Sequence, residues 1–242
     1  MTADLETYKQ QAAERALEYV QNGMALGLGT GSTARYMLSG LAARLRDGRL
    51  RDIVGVPTSS RTGALAREMG IPIVTLEQRP QLDLMLDGAD EIDPALNLIK
   101  GLGGALLYEK IVASSAQRLI IMADESKLVE QLGTRAPLPA EVIAFGLPLC
   151  MRHLAALGCE PVLRRAADGH PYRTDEGNVI LDCRFRAILD PLAISAAIKA
   201  IPGVVEHGLF IGMASIVLIA GARGVAMMVR PDMESGKRKA ES

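Results

Sequence analysis

The sequence predicts an α/β protein: a Rossmann-like parallel-sheet domain carrying a small inserted α+β domain of ferredoxin-like, βαββαβ order. Three observations predict it. Short apolar segments alternate with helical patterns from Met24 to Met122, as expected of strands covered by helices on both faces. From Pro137 the order changes to β-α-β-β-α-β. A last apolar segment, Ser215 to Ala220, then returns to the first rhythm. The expected domains are 1–132 with 211–242, and 133–210.

Tyr8 to Val20 reads as a helix with Tyr8, Ala12, Ala16 and Val20 on one side, stopped by Asn22-Gly23. Met24 to Leu28 is an apolar strand that runs into Gly29-Thr30-Gly31-Ser32-Thr33 and a helix to about Leu45. Strands follow at Ile53 to Val56, Ile71 to Thr75 and Leu82 to Leu86, with a helix at Arg61 to Glu68. A helix from about Gly104 to Ser115 leads to a strand at Arg118 to Met122. In the inserted part, Glu141 to Phe145, Pro161 to Arg164, Val179 to Arg184 and Val204 to Phe210 read as strands. Pro148 to Leu157 and Asp190 to Ile201 read as the helices between them. Residues after Arg230 alternate charged with small types and are expected to fray.

Composition narrows the function classes. The chain has 242 residues, 49% hydrophobic and 23% charged, with a net charge of −1, so it is neither disordered nor fibrous. Near-neutral charge, no Trp and 3% aromatic residues offer nucleic acid neither a broad field nor a stacking platform. The first ten residues contain Asp4 and Glu6 and no apolar run, so they are not read as a signal peptide. Gly208 to Ala222 is too short and too glycine-rich for a spanning helix, and no membrane partner is expected. Cys150, Cys159 and Cys183 are odd in number and form no CxxC, which fits reduced thiols in the cytoplasm.

Three segments carry candidate chemistry. Gly29, Gly31 and Ala34 fit a loose G-x-G-x-x-A between strand and helix. The acid that would hold a nucleotide ribose is missing, since the next strand ends Val56-Pro57-Thr58. What remains is an anion site built from N–H groups at a helix start and the Thr30, Ser32 and Thr33 hydroxyls, or else a plain turn with a cap. Next, Asp87, Asp90, Glu91 and Asp93 place four carboxylates in seven residues at a strand's carboxyl end. They form a site, a magnesium cluster without EF-hand spacing, or an ordinary solvated turn. Lys100-Gly101-Leu102-Gly103-Gly104 follows, with glycines that admit a ligand close to backbone and a cation at the edge.

Glu109 lies on the next helix, with Ala105, Leu106, Val112 and Ala113 within about 60° of it on the wheel. Desolvation in such a stripe raises a carboxyl toward the range of a general base, unless the residue simply pairs with a lysine. Lys110 points elsewhere and reads as surface or structural. His153, His170 and His207 are far apart and form no metal motif, and no G-x-S-x-G elbow exists. Lys127 follows a strand end.

These residues resemble the ribose-5-phosphate isomerase A family. The matching segments are GLGTGSTA (27–34), VPTSSRT (56–62), DLMLDGADEID (83–93) and NLIKGLGGALLYEKIVA (97–113). Further ones are ADESKLV (123–129), GNVILD (177–182) and IPGVVEHGLFIG (201–212). The resemblance implies interconversion of ribose 5-phosphate and ribulose 5-phosphate in the non-oxidative pentose phosphate pathway, without metal or other cofactor. It implies Glu109 as base, and Asp87, Gly88, Ala89 and Asp90 along the sugar. Lys100, Gly101, Leu102 and Gly103 would hold its oxygens, and Thr30, Gly31, Ser32, Thr33, Lys127 and Lys9 complete the substrate set. A homo-oligomer, dimer or tetramer, is also implied. Two departures stand out: Leu102 replaces a glycine usual in the family, and Tyr108 replaces a basic residue.

On this reading Glu109 takes the C2 proton of the open-chain aldose and returns it to C1 through a cis-enediolate. Lys100 and the glycine-loop N–H groups would stabilise the oxyanion, and Asp87 or Asp90 would shuttle a proton and help open the ring. Two rivals are a nicotinamide dehydrogenase, which lacks its ribose acid, and a sugar-phosphate sensor without turnover.

Overall fold

The computed structural model describes residues 2–230. In chain order its elements are α1 (Thr2–Ala16), β1 (Ala25–Leu28), α2 (Ser32–Arg46), β2 (Val54–Pro57), α3 (Ser60–Glu68) and β3 (Leu84–Asp87). Next come β4 (Glu91–Ile92), β5 (Leu98–Ile99), α4 (Leu106–Ser115), β6 (Leu119–Asp124), β7 (Leu138–Val142), α5 (Leu147–Ala156) and β8 (Glu160–Leu163). The last are β9 (Val179–Arg184), α6 (Pro191–Lys199), β10 (Val204–His207), β11 (Leu209–Phe210), β12 (Ile216–Gly221) and β13 (Gly224–Val229). By internal packing the chain forms two units. One holds the described residues of Met1–Ala89, Ile111–Lys127 and Gly212–Ser242; the other holds Asp90–Lys110 and Leu128–Ile211.

In the first unit a six-stranded sheet runs β13-β12-β6-β3-β1-β2. All its pairings are parallel except the β12–β13 hairpin. Alternation places Leu26 and Leu28, Leu84 and Leu86, Ile120 and Met122, and Leu218 and Ala220 on one face. They join Ala12, Ala13 and Ala16 of α1 and Met37, Leu38 and Leu41 of α2 in one apolar core. On the opposite face Gly27 admits α4, since a Cβ there would sit 2.7 Å from Val112 Cγ1.

In the second unit the four-stranded sheet runs β10-β7-β9-β8, with every pairing antiparallel. Numbering its strands by sequence gives 4-1-3-2, the ferredoxin-like order expected. Leu138, Ala140, Val142, Leu154, Leu181, Cys183 and Ile198 are in its core. Asp190 caps α6, accepting from Ala193 N at 2.9 Å. A small sheet, β11-β5-β4, completes this unit.

Several segments differ from the sequence expectation. Ile71–Thr75 makes only a single bridge, Ile73 with Gly55, because Pro72 has no N–H to extend a ladder. β7 begins at Leu138 rather than Glu141; Pro139 is tolerated because its backbone faces the β10 side, where that ladder ends at His207 and Ala140. Val204–Phe210 is two strands, parted at Gly208. The first helix lies at 2–16, earlier than expected, and is followed by a 3-10 turn. The sheet gains an antiparallel edge strand, β13, that alternation alone did not reveal. Residues 90–110, expected in the larger domain, pack with the second unit because β5 pairs with β11 and Lys100 N bonds Gly208 O. The expectation for the tail after Arg230 lies outside the described residues.

Candidate active site

In the first unit β1 delivers the chain to Gly29, whose N–H reaches Leu86 O at 3.0 Å. A Cβ on Gly29 would stand 2.1 Å from Asp87 Oδ1, so only glycine allows this approach. Asp87 is fully buried; its Oδ1 accepts from Gly88 N at 2.7 Å and Thr30 N at 3.2 Å. Gly31 takes φ 130° and precedes α2 without a side-chain cap, which leaves the first-turn N–H groups of Ser32 and Thr33 open to an anion. A groove of about 870 Å³ borders this turn, lined among others by Gly31, Ser32, Arg35, Arg61 and Thr62.

Thr30 differs from expectation. Its hydroxyl is expected to donate to an anion, but Oγ1 lies within 2.8 to 2.9 Å of Thr58 Oγ1, Ser59 Oγ and Thr62 Oγ1. With its N–H on Asp87, its N–H and hydroxyl are both engaged inside the protein. Lys9 is paired with Glu6 at 2.6 Å, and Tyr36 Oη also donates to Glu6. The hydrogen bond from Lys9 leads the causes that lower the Glu6 carboxyl. Lys127 is half-buried at the end of the turn after β6.

In the second unit the remaining carboxylates of the acidic turn have separate partners. Asp90 Oδ2 accepts from Leu102 N at 3.0 Å. Glu91, 1% exposed, accepts from the N–H groups of Gly133, Arg135 and Ala136. Asp93 holds Asn97 through its N–H and its side-chain amide. A string of carboxylates in the sequence thus becomes four anchors with different donors, and those donors offset their repulsion.

Lys100 and Glu109 are 2% and 4% exposed, and Lys100 Nζ lies 3.4 Å from Glu109 Oε2. The glutamate is therefore buried, with Leu106, Val112 and Ala113 of its helix also buried, but its setting is not purely apolar. Phe210 faces both nearby lysines, 5.4 Å from Lys100 Nζ and 4.9 Å from Lys110 Nζ to the ring centroid. Lys110 is the structural residue expected, bonded to Glu206 Oε1 at 2.8 Å and His207 O at 2.6 Å. Gly101 and Gly104 have φ of 103° and 81°, and Gly104 leaves no space for a Cβ beside Tyr172 Oη. Arg164 donates to Gly101 O and Leu102 O at 2.9 and 3.1 Å while paired with Asp182. Neither Arg164 nor Phe210 had a local signature in the sequence, since each acts across the fold.

The family model of ribose 5-phosphate isomerase A (phosphoriboisomerase A) matches residues 54–224. The ribose-5-phosphate isomerase A of Roseiflexus castenholzii is 65% identical over 229 residues, covering 95% of this chain and 98% of its own. That of Chloroflexus aurantiacus is 50% identical, covering 96% and 97%. The chain belongs to the ribose 5-phosphate isomerase A family. Solved structures agree. A D-ribose-5-phosphate isomerase in complex with phospho-erythronic acid superposes with a TM-score of 0.92 at 42% identity, covering 93% of this chain and 99% of its own. The Plasmodium falciparum ribose 5-phosphate isomerase gives 0.91 at 41% identity, covering 94% and 100%.

Both departures from the ribose 5-phosphate isomerase A pattern have a local account. Leu102 is 44% exposed and not at positive φ, so its side chain points outward and the loop keeps its bonds to Asp90 and Arg164. Tyr108 hydrogen-bonds Glu176, which with burial raises its hydroxyl to about 12 and keeps it neutral. His207 is the satisfied polar residue foreseen: Leu209 N donates to Nδ1 at 3.2 Å, so the proton is on Nε2, toward Ser195 Oγ. Among the described residues no helix is long and apolar enough to cross a membrane.

Proposed function

We propose that the protein is an aldose–ketose isomerase interconverting D-ribose 5-phosphate and D-ribulose 5-phosphate, with Glu109 as the base. The observation that carries this reading is the buried Glu109–Lys100 pair, 3.4 Å apart, beside a glycine-rich turn. Family membership supports the choice of substrate. In the open-chain aldose the C2 proton lies α to the C1 aldehyde. Glu109 removes it, the C–H electrons form the C1–C2 double bond, and the carbonyl electrons move to O1. A proton passes from O2 to O1 with Asp87 or Asp90 as shuttle. Glu109 then returns its proton to C1, and O2 becomes the ketone oxygen. The Lys100 ammonium and the loop N–H groups offset the charge that develops on oxygen.

Phosphate recognition is assigned to the open N–H groups and hydroxyls of Ser32 and Thr33, with Lys9 and Lys127 as further cations. Leu102, turned outward, lends the sensor alternative no support. The test is a coupled turnover assay with ribose 5-phosphate in the presence of EDTA. We expect turnover by the wild type and a loss of about 10³-fold in kcat for Glu109→Gln. Near-normal turnover by that variant removes the base assignment. Binding of ribose 5-phosphate without turnover by the wild type would instead identify a sensor, and activity abolished by EDTA would point to metal-dependent chemistry.

A further inference from the structure

The segment Thr58–Thr62 contributes no group to the proton transfer, yet its hydroxyls converge on the phosphate turn. We propose that Thr58, Ser59 and Thr62 are positioning residues: their hydroxyl cluster clamps Thr30, so that the N–H groups following Gly31 stay aimed at the phosphate. This rests on the assignment of Ser32 and Thr33 to phosphate recognition.

The proton count carries the argument, because each hydroxyl has one proton to give. Thr58 Oγ1 donates to Leu28 O at 3.0 Å, where Thr58 N–H also ends. Thr62 Oγ1 reaches Gly29 O at 3.3 Å. Thr30 Oγ1 gives its proton to Ser59 Oγ, 2.9 Å away, or to Thr58 Oγ1 at 2.8 Å. Ser59 Oγ in turn accepts from Thr62 N at 3.0 Å as the cap of α3. The protons of Thr30, Thr58 and Thr62 are thus kept within the cluster and on the carbonyls of Leu28 and Gly29. Thr30 has none left for a ligand, and the start of α3 is tied to the residues that lead into α2.

Burial separates this role from direct contact. Thr58 is 0% exposed, Thr62 5% and Ser59 8%. Thr58 cannot touch a bound phosphate, so any effect it has on phosphate affinity must pass through Thr30. Replacing its hydroxyl by a methyl of similar size leaves Leu28 O with the Thr58 N–H alone and takes away one of the three hydroxyls around Thr30 Oγ1, so the turn relaxes.

The experiment compares wild type, Thr58→Val and Thr58→Ser, with inorganic phosphate as a competitive inhibitor of ribose 5-phosphate turnover. For Thr58→Val we expect the phosphate inhibition constant and KM to rise together by about tenfold, with kcat within about twofold. Thr58→Ser, which keeps the hydroxyl, should restore both. A merely structural lesion would lower the active fraction and Tm and leave KM and the inhibition constant in place. That outcome, or equal inhibition of the valine variant, overturns the proposal. If Thr58→Val does not fold, Ser59→Ala removes a hydroxyl of the same cluster without putting a methyl in its place, and unchanged phosphate inhibition there is equally decisive. A wild type that turns over ribose 5-phosphate but ignores phosphate would instead overturn the parent assignment of Ser32 and Thr33.

Discussion

Leu102 and Gly104 sit two residues apart in one loop and have opposite tolerances. Leu102 is exposed and not at positive φ, so a glycine there would add freedom to the unfolded chain and remove little from the folded one. Leu102→Gly is expected to keep kcat/KM within about threefold, at a stability cost of about 1 kcal/mol. Gly104, with φ 81° and Tyr172 Oη 2.2 Å from the position of a Cβ, has no such latitude. Gly104→Ala should lose most of the activity, measured in the same assay; equal behaviour of the two variants would refute this account of the loop. Sequence reading found the lysine and the glycines here. It could not tell which glycines are obligatory, because that depends on Tyr172, 68 residues further along the chain.

At the scale of elements, Lys100, which we assign to charge stabilisation, depends on a turn far from it in sequence. Lys100 N bonds Gly208 O at 2.9 Å, and a Cβ on Gly208 would stand 2.1 Å from Lys100 O. Gly208→Ala must push β5 from β11, so we expect a destabilisation of about 2 kcal/mol or more, together with a fall in kcat of about tenfold or more. Urea denaturation and turnover check the two halves, and wild-type values for both would show that the contact yields freely. Long apolar strands such as β6, buried throughout, and β9, buried except at Asp182 and Arg184, were legible because most of their side chains are apolar and packed. The two-residue strands β4 and β5 were not, and β11 was legible only as the end of a longer strand, since a pair of residues carries no periodicity and exists only through its partner.

For the molecule as a whole, acid stability should be governed by a buried network in the second unit. Burial, together with the Lys110 charge, lowers His207 to about 4. Burial pushes Glu206 up, but the charge and hydrogen bond of Lys110, with the His207 N–H and Lys199, outweigh it and bring the carboxyl to about 2. The unfolded chain therefore takes up a proton on His207 near pH 6.5, before the native state does. Stability held above that pH is lost as pH falls toward 4, by roughly 3 kcal/mol from this residue. Glu206 acts in the same direction at lower pH, its contribution fading from about pH 4 toward 2. Urea midpoints at pH 7 and 4.5 test this: His207→Gln should shrink the difference between the two pH values, and an unchanged difference would exclude His207 as its source.

The sequence by itself determined the α/β class, the βαββαβ order of the second unit, and a set of motifs that name the family. Those features are local: periodicity, turn residues and short motifs are written in neighbouring positions. Tertiary structure alone decided that Thr30 faces three hydroxyls instead of solvent, that Glu109 is met by Lys100, and that residues 90–110 pack with the second unit. Each of these is a contact between distant positions, fixed by strand pairing and burial, for which a single sequence holds no distance information.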